Sequence, residues 1–239
     1  MHTRSSPLVV ALVLALGACS HGGGERAVAP TGSSTVPTPA PAPTTGPTAA
    51  PPAADVLHRV ALGPGDVAGG ITVSPVQDGG TTADATLDMC GFDFASEAAR
   101  TDKLENEALA ADNESVFDNE NVVYESAATA RGALQELRAA VGGCPPGEYR
   151  VSKVDGVPEH RSSFTMAPEN GLDGLVADHV AFDETDTAKD GQSGSYGAVF
   201  QRRGRVVTAV YGEGVATLLP YARTLAARLA ALTPADAGE

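Results

Sequence analysis

Three cysteines are the residues of this chain whose positions point most directly to chemistry. Cys19 follows a short basic start and an apolar run from Leu8 to Leu16, with two small residues between the run and the thiol. A basic start, an apolar run and small residues before a cleavage point are typical of a secretory signal peptide. We therefore expect residues 1–18 to be removed and the thiol of Cys19 to become available for modification.

The sequence Leu16-Gly17-Ala18-Cys19 resembles a bacterial lipobox. In that motif, diacylglycerol is attached to the cysteine sulfur and the preceding peptide bond is cut. Two acyl chains are enough for stable membrane anchoring. We therefore predict lipidation of Cys19, with the membrane as a partner and the extracytoplasmic face of the cell membrane as the location. An ordinary secretory signal with Cys19 at its cleavage point is the alternative.

Cys90 and Cys144 remain once Cys19 carries lipid. Disulfides form in extracytoplasmic settings, so we predict that these two cysteines pair. The alternative is a pair of free thiols that bind a metal ion, but no CxxC or HxxxH spacing accompanies them.

The net charge of −14 is concentrated in the first half of the folded region. Residues 84–125 contain twelve acidic side chains against Arg100 and Lys103. Nucleic-acid binding requires a basic surface, so we expect no nucleic-acid partner. A solvated surface that limits aggregation is the favoured interpretation. A face that binds a cation or a basic ligand is the alternative.

Composition divides the chain into four parts. Residues 1–18 are the predicted signal peptide. Residues 19–54 carry the lipidated cysteine and a stalk, because eight prolines between Pro30 and Pro52 leave almost nothing to bury. Residues 55–233 are predicted to form one folded domain, and residues 234–239 a tail.

Two amphipathic helices and several short strands are predicted within the domain. Ser126 caps a helix whose apolar face ends near Val141, and a final helix begins near Thr217. The sequence around Gly204 predicts a hairpin. The stretch Ala95 to Asp112 favours helix by propensity but shows no clear apolar stripe, so its structure stays open. This pattern indicates an α+β fold, with an antiparallel sheet of five to six strands and helices packed on one face.

The sequence contains, in order, Cys90-Gly91, the stretch from Ser96 to Arg100, Tyr124 and the Ala-rich helix that ends at Cys144. Together with the order of the elements, these residues resemble the PknH-like extracellular sensor domain family, which includes actinobacterial lipoproteins. The resemblance implies an α+β domain with a ligand-binding cleft and no catalytic motif. Members of that family often carry two disulfides, whereas this chain has cysteines for one.

The other side chains capable of catalysis or metal binding lack partners at the required spacing; they are His58, His160, His179, residues 191–195, Asp183, Asp186 and Asp190. Residues 191–195 are one residue short of a nucleophile elbow, which also requires a strand, a sharp turn and a helix. The three aspartates depart from the EF-hand pattern, which leaves a loose surface calcium site as an alternative. We predict no catalytic residue, no metal site and no cofactor.

Arg202, Arg203 and Arg205 form a basic cluster at the predicted hairpin. An anionic ligand is one explanation, and a strand edge kept soluble by charge is the favoured one. Taken together, the sequence predicts a non-enzymatic, lipid-anchored, sensor-like protein that binds an unknown small molecule or envelope protein through residues that the sequence does not identify. A cell-envelope hydrolase and a structural envelope protein without a ligand are the alternatives.

Overall fold

The computed structural model describes residues 53–89, 92–144 and 160–239. In chain order the elements are α1 (Ala53–Val60), β1 (Thr72–Pro75), β2 (Arg100–Leu109), β3 (Ser115–Tyr124), α2 (Ala127–Gly143), β4 (His160–Met166), β5 (His179–Ala188), β6 (Ser193–Arg203), β7 (Val206–Gly212), α3 (Gly214–Ala231) and α4 (Pro234–Ala237). Short 3-10 turns occupy Pro64–Asp66 and Ala95–Ala99. No helix in these residues has the length and apolar character needed to cross a bilayer.

The strands form one antiparallel sheet in the order β1-β2-β3-β7-β6-β5-β4. The fold is therefore α+β, as predicted, but the sheet has seven strands rather than five to six. One extra strand comes from the stretch left open by sequence, since residues 95–99 form a 3-10 turn and residues 100–109 form β2. The β-branched and aromatic residues at 149–154 also predict a strand, and they lie outside the described residues.

Helices cover both faces of the sheet, so the prediction of helices on one face is wrong. Val180 and Phe182 of β5 belong to the core formed with α2, whereas Ala181 between them belongs to the core formed with α3. Alternate residues of a strand point to opposite faces, so the two helices lie on opposite sides. We call these sides the α2 face and the α3 face. α1 packs with α3 on its side.

α2 confirms the sequence prediction closely. The hydroxyl of Ser126 accepts a hydrogen bond from the Thr129 N–H at 3.1 Å, which satisfies one free donor of the first turn. The predicted apolar stripe is buried; it comprises Ala130, Ala133, Leu134, Leu137, Ala140 and Val141. Burial of this stripe fixes α2 against the centre of the sheet.

α3 begins at Gly214, earlier than the predicted start near Thr217. The Asp183 carboxylate accepts a hydrogen bond from the Val215 N–H at 2.7 Å and so caps the new first turn from β5. A start near Thr217 would place Pro220 in the first turn, where proline is tolerated, but the observed start places it in the second turn.

Residues 234–239 are not a detached tail. Pro234–Ala237 form α4, and the Ala237 side chain is fully buried. The Arg59 guanidinium donates hydrogen bonds of 3.0 and 2.6 Å to the Asp236 carboxylate. These contacts hold the end of the described chain against α1.

Candidate functional site

A buried ion pair joins β2 and β3 on the α2 face. The ammonium of Lys103 lies 3.0 Å from Oε1 of Glu120 and 3.4 Å from Oε2 of Glu105. Lys103 and Glu120 are each 6% exposed. Glu105 lies directly opposite Glu120 in the ladder, so the lysine offsets a repulsion between like charges.

The segment before β2 covers this pair. Thr86 donates a hydrogen bond of 2.5 Å from its hydroxyl to Glu120, and it accepts one of 3.0 Å from Arg100. Arg100 also lies 3.1 Å from the carboxylate of Glu97. Burial raises the pKa of Glu97 against the opposing effect of Arg100. Polar contacts of this kind fix the covering segment to the sheet.

Glu107 and Asp118 continue the acidic surface on the same face. They are directly opposite in the β2–β3 ladder, and both are half-buried. Neither side chain has a hydrogen bond or ion pair within the described part of the chain. Burial, followed by the charges of Glu105 and Glu107, raises the pKa of Asp118 to about 6. Burial likewise raises the pKa of Glu105, although Lys103 opposes that effect. We call Glu105, Glu107 and Asp118 the acidic patch.

Aromatic side chains border the acidic patch. Tyr211 lies opposite Asp118 on β7, and its hydroxyl donates a 3.4 Å hydrogen bond to Oε2 of Glu120. Its ring packs edge-on against Phe200, with centroids 5.4 Å apart. Tyr196 and Met166 lie on the same face and are each 40% exposed. The α2 face therefore combines unpaired carboxylates with accessible apolar surface.

This arrangement favours a ligand that carries a positive charge. A half-buried carboxylate without a cation is costly, and the raised pKa of Asp118 expresses that cost. An ammonium or guanidinium group beside Glu107 and Asp118 would remove it. No group of three or more potential ligand side chains in the described ranges is arranged to hold a metal ion.

The surface calcium site considered as an alternative at Asp183, Asp186 and Asp190 is not assembled. Asp183 caps α3, whereas Asp186 accepts a hydrogen bond from Ser162 on the other face of the sheet. Asp190 lies in the β5–β6 turn, where it accepts a 3.1 Å hydrogen bond from the Gln192 N–H. Asp183 and Asp186 point to opposite faces of β5, and Asp190 lies beyond the end of that strand, so the three carboxylates have different neighbours.

The histidines are dispersed. His58 is exposed on α1, and His160 begins β4. His179 contacts the Val176 carbonyl through Nδ1 at 2.7 Å, and its Nε2 lies 3.4 Å from Glu169. Residues 191–195 form a turn that enters β6 rather than a helix, which is the expected departure from a nucleophile elbow.

Part of the predicted arginine cluster lines a cavity of about 510 Å³. Arg202 and Arg203 line it, together with Arg131 of α2, whereas Arg205 does not. β6 and β7 are interior strands of the sheet, so protection of a strand edge does not explain the cluster.

Cys144 ends α2 and packs against the core on the α2 face. Cys19 and Cys90 lie outside the described residues, so lipidation and the Cys90–Cys144 disulfide stay predictions.

The acidic composition of residues 84–125 is evident in the sequence, but the site within it is not. The available signal was the alternation in β2, where Lys103, Glu105 and Glu107 point to one face and Leu104 and Ala108 to the other. That period of two is typical of a strand.

Comparison with known proteins shows the fold but not a family. No family model and no curated protein matches this chain. Among solved structures, it is similar to the extracellular domain of PknH from Mycobacterium tuberculosis, with a TM-score of 0.50 and 13% sequence identity. The match covers 73% of this chain and 93% of that chain. The predicted resemblance to the PknH-like sensor domain is therefore confirmed at the level of the fold.

Proposed function

We propose that this chain is a lipid-anchored, non-enzymatic, sensor-like protein on the extracytoplasmic face of the membrane. Its acidic patch binds a small molecule, or an exposed group of an envelope partner, that carries a positive charge. The observation that carries this proposal is the position of Glu107 and Asp118. These two half-buried carboxylates lie directly opposite each other in the β2–β3 ladder, and neither has a cation beside it among the described residues.

Two further observations support the proposal. The lipobox-like sequence before Cys19 is typical of an anchored, exported protein. The fold is similar to a domain described as extracellular in another protein. Lipidation of Cys19 and a Cys90–Cys144 disulfide belong to the same proposal, because acylation and oxidation both occur outside the cytoplasm.

The site is suited to binding. Tyr211 is held by Phe200 and by Glu120, so the border of the acidic patch is formed before a ligand arrives. A rigid, preformed site loses less entropy when a ligand binds. Tyr196, which is 40% exposed on β6, adds accessible apolar surface on the same face.

Thermal unfolding with matched probes tests the charge preference. Putrescine should raise the melting temperature of the mature protein at about pH 8, where Asp118 is ionised. Its neutral diol analogue and succinate should not. Asp118→Asn and Glu107→Gln should each reduce the putrescine shift, whereas Glu114→Gln, an exposed carboxylate in the β2–β3 turn, should leave it unchanged. Equal shifts in all variants, or no shift in the wild type, would overturn the assignment of the site.

A further inference from the structure

The cavity lined by arginines lies away from the acidic patch, at the opposite end of the strands. It is bounded by the first turn of α2, the segment before β5, the β6–β7 turn and the end of α3. Its volume of about 510 Å³ falls within the range of small-ligand sites. The charge of its lining distinguishes it within a chain of net charge −14.

Arg202 is held in place by contacts that leave part of its guanidinium available. Its Nε lies 2.5 Å from the Asp178 carboxylate, and its Nη1 donates a 2.7 Å hydrogen bond to the Gly204 carbonyl. Its Nη2 has no hydrogen-bond partner within the described ranges. The side chain is 10% exposed, so this group is fixed at the cavity wall rather than extended into solvent.

Arg203 is likewise held by contacts that leave part of its guanidinium available. Its Nη1 donates hydrogen bonds of 3.0 and 2.5 Å to the carbonyls of Leu229 and Ala230 at the end of α3. Its Nε lies 3.6 Å from the Glu239 carboxylate. Its Nη2 has no partner in the part of the chain that the structure describes. The guanidinium groups of Arg202 and Arg203 are thus held in place, and each keeps N–H donors on Nη2 that have no partner among the described residues.

Arg131 supplies a third positive charge from α2. It lies one turn after Ala127, so both line the same side of the cavity. The Arg131 side chain is exposed and has no hydrogen bond or ion pair among residues 53–89, 92–144 and 160–239. The positive end of the α2 dipole adds to this potential.

Two acidic side chains, Asp178 and Glu239, offset part but not all of the charge of the three arginines that line the cavity. Burial would raise the pKa of Asp178, but hydrogen bonds from Arg202 and Arg138 lower it below its ordinary value. Asp178 is therefore ionised and hydrogen-bonded to those two arginines. Glu239 is 41% exposed and 3.6 Å from Arg203, which is a weak contact that an incoming anion can replace.

We propose that this cavity binds a phosphate group carried by a small molecule or by a lipid headgroup. Three guanidinium groups line the cavity, one from α2 and two from the end of β6. A tetrahedral oxyanion can accept hydrogen bonds from several such groups, whereas one guanidinium can satisfy a planar carboxylate with two parallel hydrogen bonds. This inference is independent of the cation site on the α2 face.

Titration of the non-acylated mature chain with glycerol phosphate, followed by NMR chemical shifts, tests the small-molecule source. Sedimentation with phosphatidic acid vesicles, compared with phosphatidylcholine vesicles, tests the lipid source. Arg131→Gln should weaken binding roughly tenfold or more in whichever arm is positive, because one charge-assisted contact is lost. Arg223→Gln, an exposed arginine elsewhere on α3, should bind like the wild type.

Binding of glycerol phosphate identifies a soluble ligand, and binding confined to phosphatidic acid vesicles identifies a headgroup. Either outcome supports the site when Arg131→Gln reduces it. The proposal is overturned if neither probe binds, or if Arg131→Gln binds as tightly as the wild type. Asp118→Asn should leave phosphate binding unchanged, which separates this result from the test of the acidic patch.

Discussion

Lys103 and Glu120 form a buried ion pair that is diagonal, not directly opposite, in the β2–β3 ladder. The register places Lys103 opposite Val122 and Glu120 opposite Glu105. The lysine therefore reaches between two carboxylates, and the Thr86 hydroxyl completes the contacts of Glu120 from the covering segment. The pair links the sheet to its cover beside the acidic patch.

Lys103→Met is expected to lower the free energy of unfolding by roughly 3–5 kcal/mol, because Glu120 would remain buried without its cation. The double variant Lys103→Met/Glu120→Gln should lose less than the single variant, since no uncompensated charge remains. Urea denaturation followed by circular dichroism measures both. A double variant less stable than the single one would contradict the assignment of the pair.

Asp118 should make stability fall as pH rises through its folded pKa. In the folded state that pKa is raised to about 6, so the folded protein keeps a proton that the unfolded chain releases at lower pH. The free energy of unfolding should therefore decrease between roughly pH 4 and 6. Asp118→Asn should be more stable than the wild type at pH 7, by about 1–2 kcal/mol after allowance for partial exposure, and similar at pH 4.

Denaturation across this pH range measures the effect in the absence of added ligand. Asp112→Asn, an exposed change in the β2–β3 turn, is the matched control and should follow the wild type. If the free energy of unfolding rose by the same amount between pH 4 and 6 in the wild type and in Asp118→Asn, Asp118 would have no raised pKa.

α2 was predictable from the sequence because its cap and its buried stripe are local features.

The tripeptide Asp-Asn-Glu was not, because it occurs twice, at residues 112–114 and 118–120, with different structures. Asn113 lies in a turn with φ of +64°, whereas Asn119 is buried in β3, where its side chain bonds to the Leu62 N–H at 2.9 Å and the Ala209 carbonyl at 2.8 Å. The partners of Asn119 are distant in sequence, so the local sequence pattern could not distinguish the strand position from the turn.

Partners that are distant in sequence also explain why β2 could not be predicted. Its charged residues lower its apparent strand propensity, and their partners come from β3 and from the covering segment. The acidic patch could not be located before that pairing was known. The arginine cluster was visible in sequence, but Arg131 joins it through the packing of α2 and not through its position in the chain.

Cys144→Ser is expected to lower the free energy of unfolding by roughly 2–5 kcal/mol if Cys144 pairs with Cys90. β2 should persist in this variant, because it is hydrogen-bonded to β1 and β3 rather than ordered by a cross-link alone. Alkylation of the unreduced, unfolded mature protein, followed by intact-mass measurement, checks the pairing. Two alkylated thiols at Cys90 and Cys144 would refute it.

Cys19→Ala should abolish acylation, because the lipid is attached through the cysteine sulfur. The variant should either remain an uncleaved precursor or leave the membrane fraction. Fractionation with intact-mass measurement distinguishes these forms from the acylated wild type. A mature-length Cys19→Ala protein that stays with the membrane would contradict lipid anchoring.

Native mass spectrometry of the mature protein purified from its own host tests ligand binding at the acidic patch most directly. The wild type should carry a bound small molecule or peptide with a cationic group. That species should be lost from the Glu107→Gln/Asp118→Asn variant and retained by Glu114→Gln. A wild type without any bound species, or a double variant that retains it, would contradict ligand binding at the acidic patch.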